Sequence, residues 1–208
     1  MQLLAMLTML IDHIGLIFYS DQWGWRVIGR IAFPIYAYCI VLGYQHTKDI
    51  KKYIFRLFII ALLSQYPYML ALDTMGLNVV GSLLISLMVL VALNRYLGLP
   101  KAIIIIGIAG LILEFFNFSY GIYCLLLVLI YRYSGKHLVV PLHFILNMIF
   151  IYLKGWYIGM YNILPTIFII YFPLFYAFIE KIRIPRWLWR SFYPAHLAIL
   201  AWILFALE

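Results

Sequence analysis

The chain alternates between long apolar runs and short polar breaks. A membrane-spanning helix needs about 20 apolar residues, and the breaks carry the glycine, proline and charged residues typical of turns. The apolar runs cover residues 2–20, 26–45, 53–72, 77–94, 101–116, 119–133, 138–153, 158–179 and 191–207. The pattern predicts an all-α bundle of about nine transmembrane helices, formed as a single domain over residues 1–208.

The first run differs from a cleaved signal peptide. No basic stretch precedes it, and Asp12 and His13 interrupt its apolar segment. We therefore expect this run to be retained as the first transmembrane helix.

Composition narrows the class to an integral membrane protein. Hydrophobic residues make up 67% of the chain and charged residues 11%, with mean hydropathy +1.05, whereas soluble domains carry roughly 25% charged residues. In a soluble protein the net charge of +8 would favour nucleic-acid binding. Here the basic residues lie in short connections and indicate topology, so no nucleic-acid partner is expected.

Cys39 and Cys124 lie within apolar runs without metal-binding spacing, so no metal is expected.

Basic residues concentrate in alternate connections between the runs. They are Lys48, Lys51, Lys52, Arg56, Arg95, Lys101, Arg132, Lys136, Lys181, Arg183, Arg186 and Arg190. The other connections carry Asp21, Asp73, Glu114 and a single lysine, Lys154. Because basic connections face the cytoplasm, the sequence predicts that the N-terminus lies inside and the C-terminus outside.

Asp12 and His13 need an energetic reason to lie in the middle of an apolar run. A charged side chain that faces lipid at that depth costs at least about 2.5–3.5 kcal/mol. Adjacent residues point about 100° apart on a helix, so we expect a partner on another helix, Arg26 or Arg30. The expected outer polar layer comprises Asp12, His13, Arg26, Arg30, Gln65 and Asn78.

A second polar layer is expected nearer the cytoplasm. Its members are His46, Lys48, Arg56, Arg190, Tyr193 and His196. Elsewhere, Ser82 with Ser86 and His143 with Asn147 share helix faces at a spacing of four residues. These pairs favour hydrogen bonds between helices.

Two polar layers in one bundle leave different functions open. A donor bearing phosphates could enter at the inner layer and deliver a group to an acceptor near His13. Histidine is suited to remove a proton near neutral pH, and an arginine can stabilise the oxyanion of acyl transfer. Alternatively, Asp12 and His13 could relay protons in a proton-coupled transporter without chemistry. In a third interpretation, the layers are structural and the protein binds lipid or acts as a scaffold.

Several uncommon motifs follow one another in an order that resembles the TraX family. They are "LTMLIDHIGLIF", "RVIGRIAFPIYAYCIVLGYQHTKDIKKYIFRLFIIALLSQYPY", "LN" at residues 77–78, and "FYPAHL" near the C-terminus. The resemblance is dense over residues 3–68 and returns at residues 192–197. The family is named for a protein needed for N-terminal acetylation of F-pilin, and its membrane core is similar to that of transmembrane acyltransferases.

The resemblance implies an acetyl-CoA-dependent acetyltransferase in the bacterial cytoplasmic membrane. Asp12 and His13 fall in the family's "DHIG" signature and Arg30 in its "IGR" segment, which implies that all three are catalytic, with His13 as the base. The implied donor-binding residues are His46, Arg56, Tyr193 and His196. Arg26, Gln65 and Asn78, from the outer polar layer, are the expected acceptor-binding residues.

The acceptor itself is left open by the sequence. The resemblance implies a peptide amine, a glycan or an envelope polymer, at a site surrounded by membrane lipid. Two segments depart from the family pattern: "YNILP" from Tyr161 replaces "YNG", and Ser119 replaces the aspartate of "DYG". Family members occur widely without a pilin partner, so pilin is not carried over as the substrate.

Overall fold

The computed structural model describes residues 1–96, 98–174 and 184–207, and within these ranges the regular elements are helices. The α-helices are α1 (Gln2–Phe18), α2 (Trp23–Gly29), α3 (Ala32–His46), α4 (Ile50–Leu72), α5 (Val79–Arg95), α6 (Leu99–Phe115), α7 (Gly121–Tyr133), α8 (Lys136–Lys154), α9 (Ile163–Tyr171) and α10 (Arg186–Leu207). A 3-10 helix, Tyr157–Asn162, precedes α9. The predicted all-α class is confirmed. Lys181 and Arg183, which contributed to the predicted topology, lie outside the described residues.

Helix length and composition mark the chain as a membrane protein. The helical stretches of the described ranges that are long and apolar enough to cross a membrane are Trp23–His46, Ile50–Leu72, Lys136–Lys154 and Arg186–Leu207. Helices α1 and α5 have 17 residues each, at the lower limit of a full crossing, and α7 has 13, below that limit. Within the described ranges, helix length and composition thus mark four candidate crossings, and the nine crossings expected from the apolar runs stay a prediction.

The bundle is apolar on its outside and carries polar side chains inside. Leu62, Leu63, Leu111 and Phe115 are between 61% and 83% exposed. The buried polar residues are Thr8, His13, Ser64, Asn78, Ser82, Ser86, His143, Asn147, Asn162, Thr166 and His196. This distribution suits a lipid surround, because lipid solvates the apolar surface while the polar groups find partners between helices.

The predicted run 26–45 folds as two helices that meet at Arg30 and Ile31. Pro34 has no N–H to donate to the carbonyl group of Arg30, and its ring crowds that carbonyl group, so the regular hydrogen-bond pattern is interrupted here. Both linking residues keep right-handed helical angles, with φ of −59° and −64°. The stretch Trp23–His46 consequently still forms one candidate crossing.

Helix α7 lies at the centre of the bundle, against α3, α5, α6 and α8. Its start is fixed by a short pairing between two connections at the same end of the bundle. The N–H of Leu77 donates to the carbonyl oxygen of Asn117 at 3.1 Å, and the N–H of Ser119 donates back to Leu77 at 2.7 Å. Asn117 and Tyr120 have positive φ, at 49° and 63°, which is uncommon outside glycine. The turn holds the Tyr120 side chain at the start of α7.

Helices α1 and α2 approach more closely than ordinary side chains would allow. A Cβ atom on Gly15 would overlap Trp25, and a Cβ atom on Gly29 would overlap Asp12. Small residues at such positions let helix backbones come together. Asp12 is therefore packed directly against the backbone of α2.

Replacing Gly29 with alanine is expected to destabilise the protein by about 1–3 kcal/mol, because the added methyl group overlaps Asp12 and pushes the two helices apart. The measurement is the thermal unfolding midpoint of purified protein in detergent. Gly24→Ala is the matched control on the same helix, since a Cβ atom there meets nothing within 4 Å. Equal midpoints for Gly29→Ala and the unaltered protein would contradict the close packing of α1 on α2.

Candidate active site

A cavity of about 1480 Å³ extends between the helices along α3. Its wall includes Ala32 at the start of this helix and His46 at its end, about 21 Å apart at a rise of about 1.5 Å per residue. Pockets for drug-sized ligands enclose about 300–1,000 Å³. The cavity therefore has room for a substrate longer than a typical small ligand.

The two halves of the cavity differ in chemistry. Near the start of α3 its wall carries Phe33, Tyr120 and Trp156, which we call the aromatic end. Asp12, His13, Arg26 and Arg30 belong to this half, because Arg30 lies two residues before α3 and Asp12 pairs with both arginines. The other arginine and histidine positions of the described wall, which we call the basic wall, are His46, Arg56, Arg186 and Arg190.

Asp12 is held by two arginines, as expected from the sequence. Nη1 of Arg26 lies 3.1 Å from Oδ1 of Asp12, and Nη2 of Arg30 donates to the same oxygen at 3.3 Å. The expectation that Asp12 pairs with Arg26 or Arg30 is confirmed for both residues. One carboxylate balances one of the two guanidinium charges, so the wall keeps a net positive charge beside His13. Nε of Arg30 is also buried without a hydrogen-bond partner among the described residues.

Arg30 is held from a second side by Tyr120. Nη1 of Arg30 donates to the Tyr120 hydroxyl at 3.1 Å, and the Tyr120 ring stacks on Phe33 with centroids 3.8 Å apart. Sequence reasoning treated residues 119–121 only as a departure from the family pattern and missed this contact. The positive φ of Tyr120, which aims the ring, leaves no pattern in the sequence that would have revealed it.

His13 has an unexpected partner, His196 on α10. Nδ1 of His13 lies 2.8 Å from Nε2 of His196, and the two ring planes differ by 7°. Nδ1 of His196 lies 2.7 Å from the carbonyl oxygen of Phe192. Both histidines are buried, at 9% and 5% exposure, but within the described residues only His13 lines the cavity.

The expected placement of His196 and Tyr193 in a separate layer nearer the cytoplasm is wrong. The apolar run was taken to begin at residue 191, whereas α10 begins at Arg186. His196 is therefore ten residues into the helix, about 15 Å at helical rise, and reaches the depth of His13. Tyr193 packs edge-on against both rings, with centroids 6.5 Å from His13 and 5.6 Å from His196.

Gln65 and Asn78 form a cap at the start of α5 and are not part of the cavity wall described here. The side chain of Asn78 accepts from the N–H groups of Val80 and Gly81 at 3.0 and 3.2 Å. Its amide nitrogen donates to Gln65 at 2.9 Å and to the carbonyl oxygen of Ala61 at 2.7 Å. Because these bonds occupy the polar atoms, the structure gives both residues a capping role in place of the expected position at an acceptor site.

The expected donor-binding residues His46 and Arg56 both line the cavity. His46 is exposed, and its Nδ1 donates to the carbonyl oxygen of Leu42 at 2.9 Å. Asp49, in the next connection, accepts from the N–H of Lys52 at 3.0 Å. This hydrogen bond lowers the pKa of the Asp49 carboxyl group and caps α4.

A second buried polar cluster lies beside the cavity around Tyr123. His143 and Asn147, which were expected to pair, both contact the Tyr123 hydroxyl group. Nε2 of His143 lies 2.9 Å from the hydroxyl oxygen, and the hydroxyl group donates to Oδ1 of Asn147 at 2.7 Å. Nδ1 of His143 lies 2.7 Å from Oγ of Thr166 on α9. The cluster joins α7, α8 and α9, as expected for hydrogen bonds between helices. In the described ranges, no group of three histidine, cysteine or acidic side chains could hold a metal.

Comparisons with known proteins agree with the motifs of the sequence. The sequence model of the family described as "TraX protein" matches residues 1–204. A curated relative from Dichelobacter nodosus, named "Probable fimbrial assembly protein FimC, serogroup H1", is 32% identical over 79 residues, which cover 35% of this chain and 32% of the relative. The match thus spans about a third of that protein, and no solved structure matches the chain. Because the family match covers nearly the whole chain, the protein belongs to the TraX family.

Proposed function

We propose that the protein is a membrane-embedded acetyltransferase that moves an acetyl group from cytosolic acetyl-CoA to an amine or hydroxyl group at the membrane or its outer face. One observation carries this proposal. His13 lies on the wall of a long cavity, beside a cationic group with a free donor, and the same cavity carries four basic positions. The TraX family assignment supports a transferase, since the family is named for pilin acetylation.

The basic wall is the proposed contact for the phosphates of acetyl-CoA. Arginine donates strong, charge-assisted hydrogen bonds to phosphate oxygens, and Arg56, Arg186 and Arg190 all line the cavity. Arg190 and Arg186 lie six and ten residues before His196 on α10, about 9 and 15 Å along the helix. An extended donor held by its phosphates there would reach toward His13 with its other end.

His13 and Arg30 carry the proposed chemistry at the aromatic end. His13 removes a proton from the amine or hydroxyl group of the acceptor as that atom bonds to the carbonyl carbon of the acetyl group. Arg30 donates hydrogen bonds to the oxygen that becomes negative, while Asp12 and Tyr120 hold its guanidinium group in place. When the carbon–sulfur bond breaks, His13 returns its proton to the departing thiolate. The products are the acetylated acceptor and free CoA thiol.

The acceptor is proposed to enter at the aromatic end, which faces the outer side if the basic connections face the cytoplasm. Arg26 lines this half of the cavity and is the proposed contact for an anionic group of the acceptor. A relative named for fimbrial assembly supports a filament subunit as the first acceptor class to test. A glycan hydroxyl and an envelope polymer are the other two classes.

The proposed topology has nine crossings, with the N-terminus inside and the C-terminus outside. Single cysteines introduced at Lys51 and Asp21, in a background with Cys39 and Cys124 replaced by serine, report the two sides. An impermeant thiol reagent is expected to label Asp21→Cys in intact cells and Lys51→Cys only after permeabilisation, because basic connections face the cytoplasm. The reverse pattern would refute the orientation.

His13→Ala is expected to reduce acetyl transfer by about 10²–10⁴-fold, the usual contribution of a general base. The assay follows transfer from acetyl-CoA to hydroxylamine, a nucleophile small enough to enter the cavity, with mass spectrometry of envelope material in parallel. His137→Ala is the control, since this histidine is exposed and does not line the described cavity. Full activity in His13→Ala would eliminate the assigned base. Proton flux into liposomes without consumption of acetyl-CoA would favour the transporter instead.

Arg190→Gln is expected to weaken acetyl-CoA binding by roughly ten- to hundredfold, because a hydrogen bond to a charged group contributes about 1.5–3 kcal/mol. Isothermal titration in detergent measures this affinity, which is expected to fall further as the salt concentration rises. Arg95→Gln is the matched control, an exposed arginine away from the described cavity wall. Equal losses of acetyl-CoA affinity in both variants would contradict the assignment of the basic wall as the donor site.

A further inference from the structure

We infer that His196 is a positioning residue that fixes the tautomer of His13, so that the lone pair of Nε2 in His13 is available in the cavity. This inference rests on the proposed function, in which His13 is the base. It assigns to His196 a role different from the donor binding expected from the sequence.

The chain of hydrogen bonds begins at a group that can only accept. The carbonyl oxygen of Phe192 lies 2.7 Å from Nδ1 of His196, so this nitrogen carries the proton. A neutral imidazole protonated at Nδ1 has its lone pair at Nε2. Nε2 of His196 therefore accepts a hydrogen bond from Nδ1–H of His13 across 2.8 Å.

This hydrogen bond also determines which ring nitrogen of His13 carries the proton. With its proton at Nδ1, the neutral ring has its lone pair at Nε2, which makes no hydrogen bond to any described residue. His13 lines the cavity, whereas His196 lies behind it. The opposite tautomer would present an N–H group to the acceptor and could not remove a proton from it.

Packing holds the two rings in the geometry that this bond needs. The ring of Phe192 stacks on His196 with centroids 4.6 Å apart, and the planes of His13 and His196 differ by 7°. Near-parallel planes let the in-plane N–H of one ring point at the in-plane lone pair of the other. The ring of Tyr193 packs edge-on against both histidine rings.

Two substitutions at His196 distinguish a role in positioning His13 from a role in the stability of the protein. Glutamine can reproduce both bonds with the same polarity, since its amide nitrogen can donate to Phe192 and its oxygen can accept from His13. Leucine fills similar space but offers no acceptor. With acetyl-CoA and hydroxylamine, His196→Leu is expected to lower kcat by at least about 100-fold, as loss of a correct tautomer does in other enzymes. Its KM for acetyl-CoA should stay unchanged, and His196→Gln should keep kcat within about tenfold.

Nitrogen-15 NMR of histidine-labelled protein in detergent gives a readout that does not depend on catalysis. The signals of His13 are identified by their loss in His13→Ala. In the unaltered protein and in His196→Gln, His13 is expected to carry its proton at Nδ1. In His196→Leu this preference is expected to disappear.

Each outcome bears on the inference directly. A His13 ring protonated at Nε2 in the unaltered protein, or unchanged kcat in His196→Leu, would overturn it. If His196→Leu fails to fold, the spectra of the unaltered protein and of His196→Gln still show whether Nδ1 or Nε2 of His13 carries the proton. If the unaltered protein transfers no acetyl group, the proposed function fails, while the NMR result still tests whether His196 sets the tautomer.

Discussion

The cost of placing charge in lipid governs how this bundle is arranged. A membrane-embedded aspartate costs at least about 2.5–3.5 kcal/mol unless it faces inward and is paired, and here Asp12 meets both Arg26 and Arg30. That pairing requires α1 and α2 to touch, which Gly15 and Gly29 permit. It also leaves one cation in excess, so the ion pair that keeps the helices together leaves a net positive charge on the cavity wall.

The unsatisfied polar atoms of the interior differ in charge and in position. Around Tyr123, Nδ2 of Asn147 and Oδ1 of Asn162 have no hydrogen-bond partner among the described residues, and at the cavity the same holds for Nε of Arg30. The two asparagines are neutral and do not belong to the described cavity wall, whereas Arg30 is charged and lines it. Buried polar atoms are nearly always bonded, so the charged donor at the cavity is the one that favours a site for a ligand.

The sequence was sufficient for the helical class, for the Asp12 ion pair and for the inward-facing position of His13, because ionisable residues inside apolar runs stand out against their surroundings. It was not sufficient for contacts between distant segments. His196 was misplaced because the start of α10 was read five residues too late, which shifts its depth by about 7 Å. Tyr120 went unnoticed because many tyrosines lie near the ends of apolar runs, and its backbone conformation has no sequence signature. Asn78 was taken for a ligand-binding residue, although its position just before an apolar run is also that of a helix cap.

The shortness of α7 has a consequence for the backbone at its ends. Thirteen residues give a helix of about 20 Å, while the hydrocarbon layer is about 30 Å thick. Since α3, α5, α6 and α8 surround α7, neighbouring protein and not lipid makes up the difference. Non-helical backbone at membrane depth is tolerated where protein surrounds it, so the short central helix leaves room for the turn at residues 117–120 within that depth.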